Sequence, residues 1–210
     1  EMDLWAPVND RSLDRLCGSA EQEAPFVPQL LAIPGAKAML LARISALLAT
    51  ILDPEHAAAI ADSLFQLYDR PMAADHGRWL GKMECPDPKA SYDDLMSHIR
   101  GRTGPLLGQL AQRTGSTLFN LSVVVEPARA GTVTVEELAL TDVRRTMRVF
   151  GGVPVHLKAS PAPGMEFAGW KGEDGNGAAL TVTAVGDRSV RAMFRPVGVS
   201  RQGGLEQRGE

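Results

Sequence analysis

The chain has 210 residues, of which 44% are hydrophobic and 22% are charged, and its formal net charge is −3. This composition excludes a disordered polymer and supplies enough apolar residues for one moderate core or two small ones. A charge so close to zero argues against a nucleic-acid partner, since phosphate backbones attract strongly cationic surfaces. Cys17 and Cys85 stand far apart. With no neighbouring Cys or His at metal-ligand spacing, neither a disulfide framework nor a zinc site is predicted.

No run of 18 apolar residues occurs in the sequence, so no transmembrane segment is predicted. The longest apolar stretch, from Ala36 to Leu52, is interrupted by Lys37 and Arg43. The chain starts at Glu1 without an initiator Met or a signal-type segment. We therefore expect it to be a piece of a longer protein.

The first half of the chain has the periodicity of α-helices. An apolar stripe from about Ala36 to Leu52 predicts one helix. Asp53-Pro54-Glu55 then offers a capping carboxylate, a proline at the first helical position and an acid near the positive helix end. This pattern predicts a second helix to about Tyr68. Its residues available for burial are Ala58, Leu64, Phe65 and Leu67.

A third helix is predicted to start at Ser91, whose hydroxyl can cap it, and to be interrupted at 101–105. A short last helix then precedes Gly115, and the Pro- and Gly-rich segment 81–88 is predicted to be a loop. Residues 1–115 should therefore form an α-helical segment, either a bundle or half of one.

After Thr117 the period changes from helical to two, which is typical of half-buried β-strands. A turn is predicted at 161–164 and a hairpin at Gly186-Asp187. We expect an α+β protein in which the helical segment precedes a small antiparallel all-β domain over 118–196. A disordered tail is expected over 197–210. The predicted strands lie at 118–125, 132–135, 153–160, 167–170, 180–183 and 189–194.

Phe167, Trp170 and Phe194 are the bulky residues that such a small β domain needs for its core. An aromatic ligand platform is the alternative, but no second Trp or Tyr stands beside Trp170, so packing is favoured. A second alternative concerns Arg144, Arg145 and Arg148, placed in a loop after Leu140. These cations could bind an anion, although a solvated loop is the preferred interpretation.

The β half contains, in order, segments 121–127, 130–134, 152–164, Phe167-Ala-Gly-Trp170 and Val190-Arg-Ala-Met-Phe194. Together these segments resemble the divergent internalin-B-type bacterial repeat family, over roughly 75 residues. The resemblance implies an extracytoplasmic or cell-surface protein in which this domain serves attachment, spacing or binding.

Segments of the helical half also resemble a family. Four segments are similar to the C-terminal region of the spore-coat CotH protein-kinase-like family: Phe26-Val-Pro-Gln-Leu-Leu, Ile44-Ser-Ala-Leu-Leu-Ala-Thr, Leu52-Asp-Pro-Glu-His and the segment from Pro71 to Trp79. In that family a β repeat often follows. The resemblance implies that residues 1–115 are kinase-like large-lobe helices, and that a full-length parent is an atypical protein kinase using Mg²⁺ and ATP.

This second resemblance also implies a metal site. Glu1 and Asp3 stand where the family has an Asp-x-Asp motif that holds metal ions against nucleotide phosphates. Here Glu replaces the first Asp, and nothing matches the family's phosphate-gripping Lys or catalytic-loop Asp. We expect no catalytic residue and no cofactor for this chain. Two solvated acids are the alternative interpretation of Glu1 and Asp3.

Three histidines carry no catalytic motif. His56, His76 and His98 stand in predicted helices or beside them without acidic or nucleophilic partners at useful spacing, and a packing or capping role is preferred for His76.

Two hypotheses about function follow. The first is a noncatalytic C-terminal portion of a CotH-like kinase, and the second is a free-standing adhesion or cell-wall interaction protein. Under either hypothesis the expected partners are cell-surface, spore-coat or cell-wall components.

Overall fold

The computed structural model describes residues 26–82, 86–175 and 177–198. Four helices are followed by eight strands within this part of the chain. The predicted α+β class is therefore confirmed. The helices are α1 (Phe26–Ala32), α2 (Pro34–Ala49), α3 (Pro54–Trp79) and α4 (Pro88–Thr114). The strands are β1 (Leu118–Glu126), β2 (Gly131–Val135), β3 (Leu138–Ala139), β4 (Arg144–Phe150), β5 (Pro154–Pro161), β6 (Met165–Lys171), β7 (Ala179–Thr183) and β8 (Arg188–Pro196).

The two long helices start in the same way. The Asp53 carboxylate accepts the His56 N–H at 3.2 Å and caps α3, as predicted. The cap of α4 is Asp87, which accepts the Ala90 N–H at 2.9 Å. The prediction of Ser91 as the cap is wrong, because Asp87-Pro88 supplies both a capping oxygen and a proline with no amide to satisfy.

Both long helices extend further than predicted. Helix α3 continues through Pro71 to Trp79, and α4 continues through Pro105 to Thr114. The expected end near Tyr68 and the expected interruption at 101–105 are therefore wrong. Each proline removes one backbone hydrogen bond, but α3 and α4 lie side by side and their packing outweighs this local penalty.

The strands form two four-stranded sheets. Sheet 1 has the order β4-β1-β8-β6, and sheet 2 has the order β3-β2-β5-β7. All neighbouring strands run antiparallel except β1 and β8, which are parallel. The domain is thus mixed instead of purely antiparallel. The prediction of a hairpin at Gly186-Asp187 is wrong, because this connection passes from β7 in sheet 2 to β8 in sheet 1.

The arginines placed in a loop by the sequence lie in a strand. Strand β4 pairs with β1 along its whole length, with Arg144 opposite Val124 and Arg148 opposite Asn120. Arg144 and Arg148 are exposed, whereas Arg145 is half-buried and forms ion pairs with Asp53 and Asp142. The loop interpretation is therefore wrong.

The main core combines buried residues of both sheets with one helix. Helix α2 contributes Ala46, which is fully buried, and Ala49. Burying such apolar surface is the dominant stabilising contribution to a domain of this size. The largest fully buried side chains that the sheets contribute to this core are Leu121, Val123, Val133, Val135, Val149, Val155, Leu157, Val182 and Val190.

A second core cluster lies on another side of α2. It joins Leu41 of α2 to Leu107 and Leu110 of α4 and to Phe150 at the end of β4. Arg43 of α2 also donates a hydrogen bond to the backbone oxygen of Glu136. Helix α2 is therefore packed between the β sandwich and α4. The division of the chain into parts ending at 115 and starting at 118 stays a prediction.

Candidate functional site

The predicted metal ligands, Glu1 and Asp3, lie outside the described residues, as do Cys17, Cys85 and the tail from 199 to 210. Within the described ranges, no group of three or more His, Cys, Asp or Glu residues could hold a metal ion. The metal site implied by the CotH-like resemblance stays a prediction.

The predicted core aromatics do pack together. The Phe167 ring makes edge contacts with Trp170 at 5.4 Å and with Phe194 at 5.7 Å between ring centroids. Phe194 is buried, and the other two rings pack against the core. The Trp170 indole N–H donates to the Gly177 oxygen at 3.0 Å. The packing interpretation is confirmed, and Gly169, at φ 138, allows the bulge that lies between Phe167 and Gly169 in β6.

The histidines named in the sequence analysis lie on the helices. His76 is half-buried in α3, and its backbone oxygen accepts the Leu80 N–H at 2.8 Å. A different histidine, His156 of β5, has a carboxylate partner, with its Nδ1 3.0 Å from the Glu136 Oε1. The same oxygen accepts the His156 backbone N–H at 2.7 Å. This pair fastens the β2–β3 turn to β5.

Helix α3 has fewer buried residues than α4, although the two helices have almost the same length. Ala58 is its one buried residue among 26, while Leu64 is 51% exposed and Leu67 is 67% exposed. The prediction that Leu64 and Leu67 are buried is therefore wrong. Exposed apolar residues in a continuous patch mark an interaction surface more often than scattered single ones do.

Contacts with α4 hold α3 in place. The Phe65 and Tyr92 rings stack with centroids 4.1 Å apart, and the Tyr92 hydroxyl donates to Asp62 at 2.8 Å. This hydrogen bond to the Asp62 carboxylate is the main cause that raises the pKa of Tyr92 above its ordinary value. The two contacts fix the spacing of the helices on the side where a groove opens.

The groove between α3 and α4, here called the hairpin groove, has a volume of about 790 Å³. Its walls are almost entirely apolar side chains. Ile60, Leu64 and Tyr68 of α3 are each about half exposed, and Leu95 of α4 is 40% exposed. The α3 residues of the groove recur every three or four positions. The main lining residues are Ile60, Leu64, Tyr68 and Met72 of α3, with Pro88 and Leu95 of α4.

The sequence could have pointed to this surface only in part. The spacing of Ile60, Leu64 and Tyr68 shows an apolar face on α3. It does not show whether another element of the chain covers that face. Only the packing of α4, which contacts α3 through Phe65 and leaves Leu64 exposed, distinguishes the covered side from the open side.

Across the residues that the structure describes, no single helix is long and apolar enough to cross a bilayer. Helices α2 and α3 meet the length and composition criteria only when taken together, and they are bent by 53° relative to each other.

Comparison with known proteins supports one of the two predicted resemblances. Residues 121–198 match the family described as the divergent InlB B-repeat domain. No curated protein matches the chain, and no solved structure does. The chain therefore contains a divergent InlB B-repeat domain in its β half. The CotH-like resemblance of the helical segment gains no support from these comparisons.

Proposed function

We propose that this chain is a noncatalytic attachment module of a bacterial surface protein. In this proposal the B-repeat domain is the rigid body that serves attachment or spacing. The α3–α4 hairpin binds an amphipathic helix through the hairpin groove. The observation that carries the proposal is the apolar groove itself, in which Ile60, Leu64 and Tyr68 stay half exposed although each could contribute to a core.

The chemistry of the groove favours an amphipathic α-helix as its occupant. Both walls are helices, whose backbone groups are already hydrogen-bonded within α3 and α4. An extended peptide would find no strand edge to pair with, and its own backbone groups would be buried without partners. A helix satisfies its own backbone and can place apolar residues against Ile60 and Leu64.

A synthetic 18-residue peptide tests this proposal, with Leu at helical positions i, i+3, i+4 and i+7 and Lys or Glu elsewhere. We expect the full chain to bind it with a Kd of roughly 10–100 μM, measured by fluorescence anisotropy. Leu64→Glu places a charge in the groove and should weaken binding at least tenfold. Leu80→Glu, which changes an exposed leucine outside the groove lining, is the matched control.

Three results would contradict this assignment. One is equal binding of a peptide with the same composition but a scrambled order, and another is an unchanged affinity in Leu64→Glu. The third is a dimer, seen by light scattering, that Leu64→Glu dissociates, because the groove would then bind a second copy of the chain.

A finer proposal concerns the origin of the helices. We propose that they are the C-terminal part of a CotH-like kinase, and that the helix received by the hairpin groove belongs to the kinase-like body. The open apolar face of α3 favours this origin, since a larger helical body would cover it. A free-standing adhesion or cell-wall interaction protein is the alternative. Encoding sequence upstream of Glu1 with a kinase-like Lys and catalytic Asp separates the two.

The chain by itself should not transfer phosphate. Mg²⁺ and ATP would be used only by the full-length kinase, with Glu1 and Asp3 as metal ligands. We therefore expect no autophosphorylation when the purified 210-residue protein is incubated with Mg²⁺ and labelled ATP. Incorporation of label that Asp3→Asn abolishes would overturn this part of the proposal.

A further inference from the structure

The outer face of sheet 1 is polar, in contrast to its inner face. Along β1, Leu121, Val123 and Val125 belong to the core, so the alternate residues Ser122 and Val124 lie on the outer face. The register carries this face across the neighbouring strands. Opposite Ser122 stand Thr146 of β4 and Ser189 of β8.

The next row on this outer face contains three cations. Val124 is paired with Arg144 of β4 on one side and with Arg191 of β8 on the other. Arg191 is in turn paired with Lys171 of β6. The row Arg144-Val124-Arg191-Lys171, here called the cationic row, crosses all four strands. At about 4.8 Å between strands, it spans roughly 14 Å.

The cationic row has more positive charge than its neighbours neutralise. Glu126 lies 2.9 Å from the Arg191 guanidinium and is its ion-pair partner. Other acids near this face are engaged elsewhere, Glu166 with Arg195 and Glu173 with Arg188. Arg144 and Lys171 are exposed at the two ends of the row.

The pairing of Arg191 with Lys171 is unfavourable for the fold alone. Like charges directly opposite each other on adjacent strands destabilise a sheet. Val124, between the two arginines, is only 9% exposed although it faces outward, which fits aliphatic stems of the arginines lying over it and keeping the charged groups at the surface.

We propose that the cationic row is a binding site for an anionic polymer whose charges are phosphate groups. Arginine forks donate paired hydrogen bonds to phosphate oxygens, and lysine adds a point charge. The adjacent hydroxyl row of Ser122, Thr146 and Ser189 can donate to the remaining oxygens. An extended polymer lying across the strands would contact Arg144, Arg191 and Lys171 together. This site is independent of the hairpin groove.

The probe for this proposal is end-labelled inorganic polyphosphate, measured by fluorescence anisotropy with the full chain at 50 mM and 200 mM salt. We expect binding that weakens steeply with salt. The double variant Arg144→Gln with Lys171→Gln should lower the affinity at least tenfold at 50 mM salt. It should also reduce the slope of log affinity against log salt by between about 1 and 2.

The matched control is Lys82→Gln with Lys158→Gln, which removes the same charge from exposed lysines outside this face. Its affinity should stay within twofold of the wild type, and thermal unfolding should show that both double variants are folded. An equal loss in the control would overturn the proposal, as would no binding by the wild type. Poly-glutamate or heparin bound as tightly as polyphosphate would also overturn the assignment to phosphate. Leu64→Glu should bind polyphosphate normally, which separates this test from that of the groove.

Discussion

The β sandwich, formed by β1–β8, and the α3–α4 hairpin differ in how many of their side chains are buried. In the sandwich, nearly every inward residue is buried, and α2 adds Ala46 and Ala49 to the same core. In the hairpin, α3 buries Ala58 alone. A segment with few buried apolar contacts opens more easily than a packed core does. The difference indicates that α2 unfolds together with the sandwich, whereas α3 is held in place chiefly by its contacts with α4.

Two Phe→Ala variants should show the largest contrast between these regions. Phe150 is fully buried where β4 meets α2 and α4. Phe150→Ala should therefore lower the free energy of unfolding of the protein by about 3–5 kcal/mol. Phe65 is half-buried against Tyr92, and Phe65→Ala should cost roughly 1 kcal/mol. Chemical denaturation measures both values. Equal losses would contradict the contrast.

An overpacking test is the next in size. Ala46→Leu inserts a larger side chain between α2 and the sheets and should destabilise the protein by about 1–3 kcal/mol. Ala59→Leu makes the same change at an exposed position of α3 and should stay within roughly 0.5 kcal/mol of the wild type. If Ala46→Leu is as harmless as Ala59→Leu in thermal unfolding, α2 does not pack into the sandwich core.

The two helix caps should differ by a smaller amount. Asp53 caps α3 and also forms an ion pair with Arg145 of β4, with both side chains about one-fifth exposed. Asp87 caps α4. Asp87→Ala should cost roughly 0.5–1 kcal/mol, and Asp53→Ala about 1–2 kcal/mol because Arg145 also loses a partner. Urea denaturation of both variants measures the two losses of stability. A larger loss in Asp87→Ala than in Asp53→Ala would contradict the contribution of the ion pair with Arg145.

The smallest effect concerns the connection between β7 and β8. Asp187 accepts the Asn120 backbone N–H at 2.8 Å and its side-chain amide at 2.9 Å. The backbone hydrogen bond, followed by the side-chain one, lowers the pKa of Asp187 below 3.8. Since the folded pKa is the lower one, the stabilisation is present above pH 3.8 and is lost as the pH falls through the folded pKa.

Asp187→Ala should therefore be less stable than the wild type at pH 6. The difference between their free energies of unfolding should become smaller as the pH is lowered from 6 towards 3. Thermal unfolding across this range measures the difference. A gap that widens at low pH would show that the carboxylate does not hold the connection.

The sequence allowed the class and the repeat domain to be predicted because their information is local. Period-two alternation identified β1, and Asp53-Pro54 identified the start of α3. The core role of Phe167, Trp170 and Phe194 followed from their size and from the absence of a second Trp or Tyr beside Trp170 in the sequence. The same local chemistry misled at Ser91, where Asp87 was the stronger cap.

What could not be predicted depends on contacts distant in sequence. The parallel pairing of β1 with β8 joins residues more than 60 positions apart, so no local pattern specifies it. The cationic row exists only through that pairing, since Arg144, Arg191 and Lys171 come from three strands. The hairpin groove was missed because the local pattern predicted burial of its residues. Leu64 and Leu67 have the pattern of buried residues, and only the fold shows that no described element covers them.

Native-state hydrogen exchange tests most directly whether α2 is part of the sandwich while the hairpin is separate. The amides of α2 from Leu41 to Ala49 should open with the same free energy as those of β1. The amides of α3 from Ile60 to Tyr68 should open with a clearly lower free energy. Exchange of α2 together with α3, at a free energy below that of β1, would contradict the account.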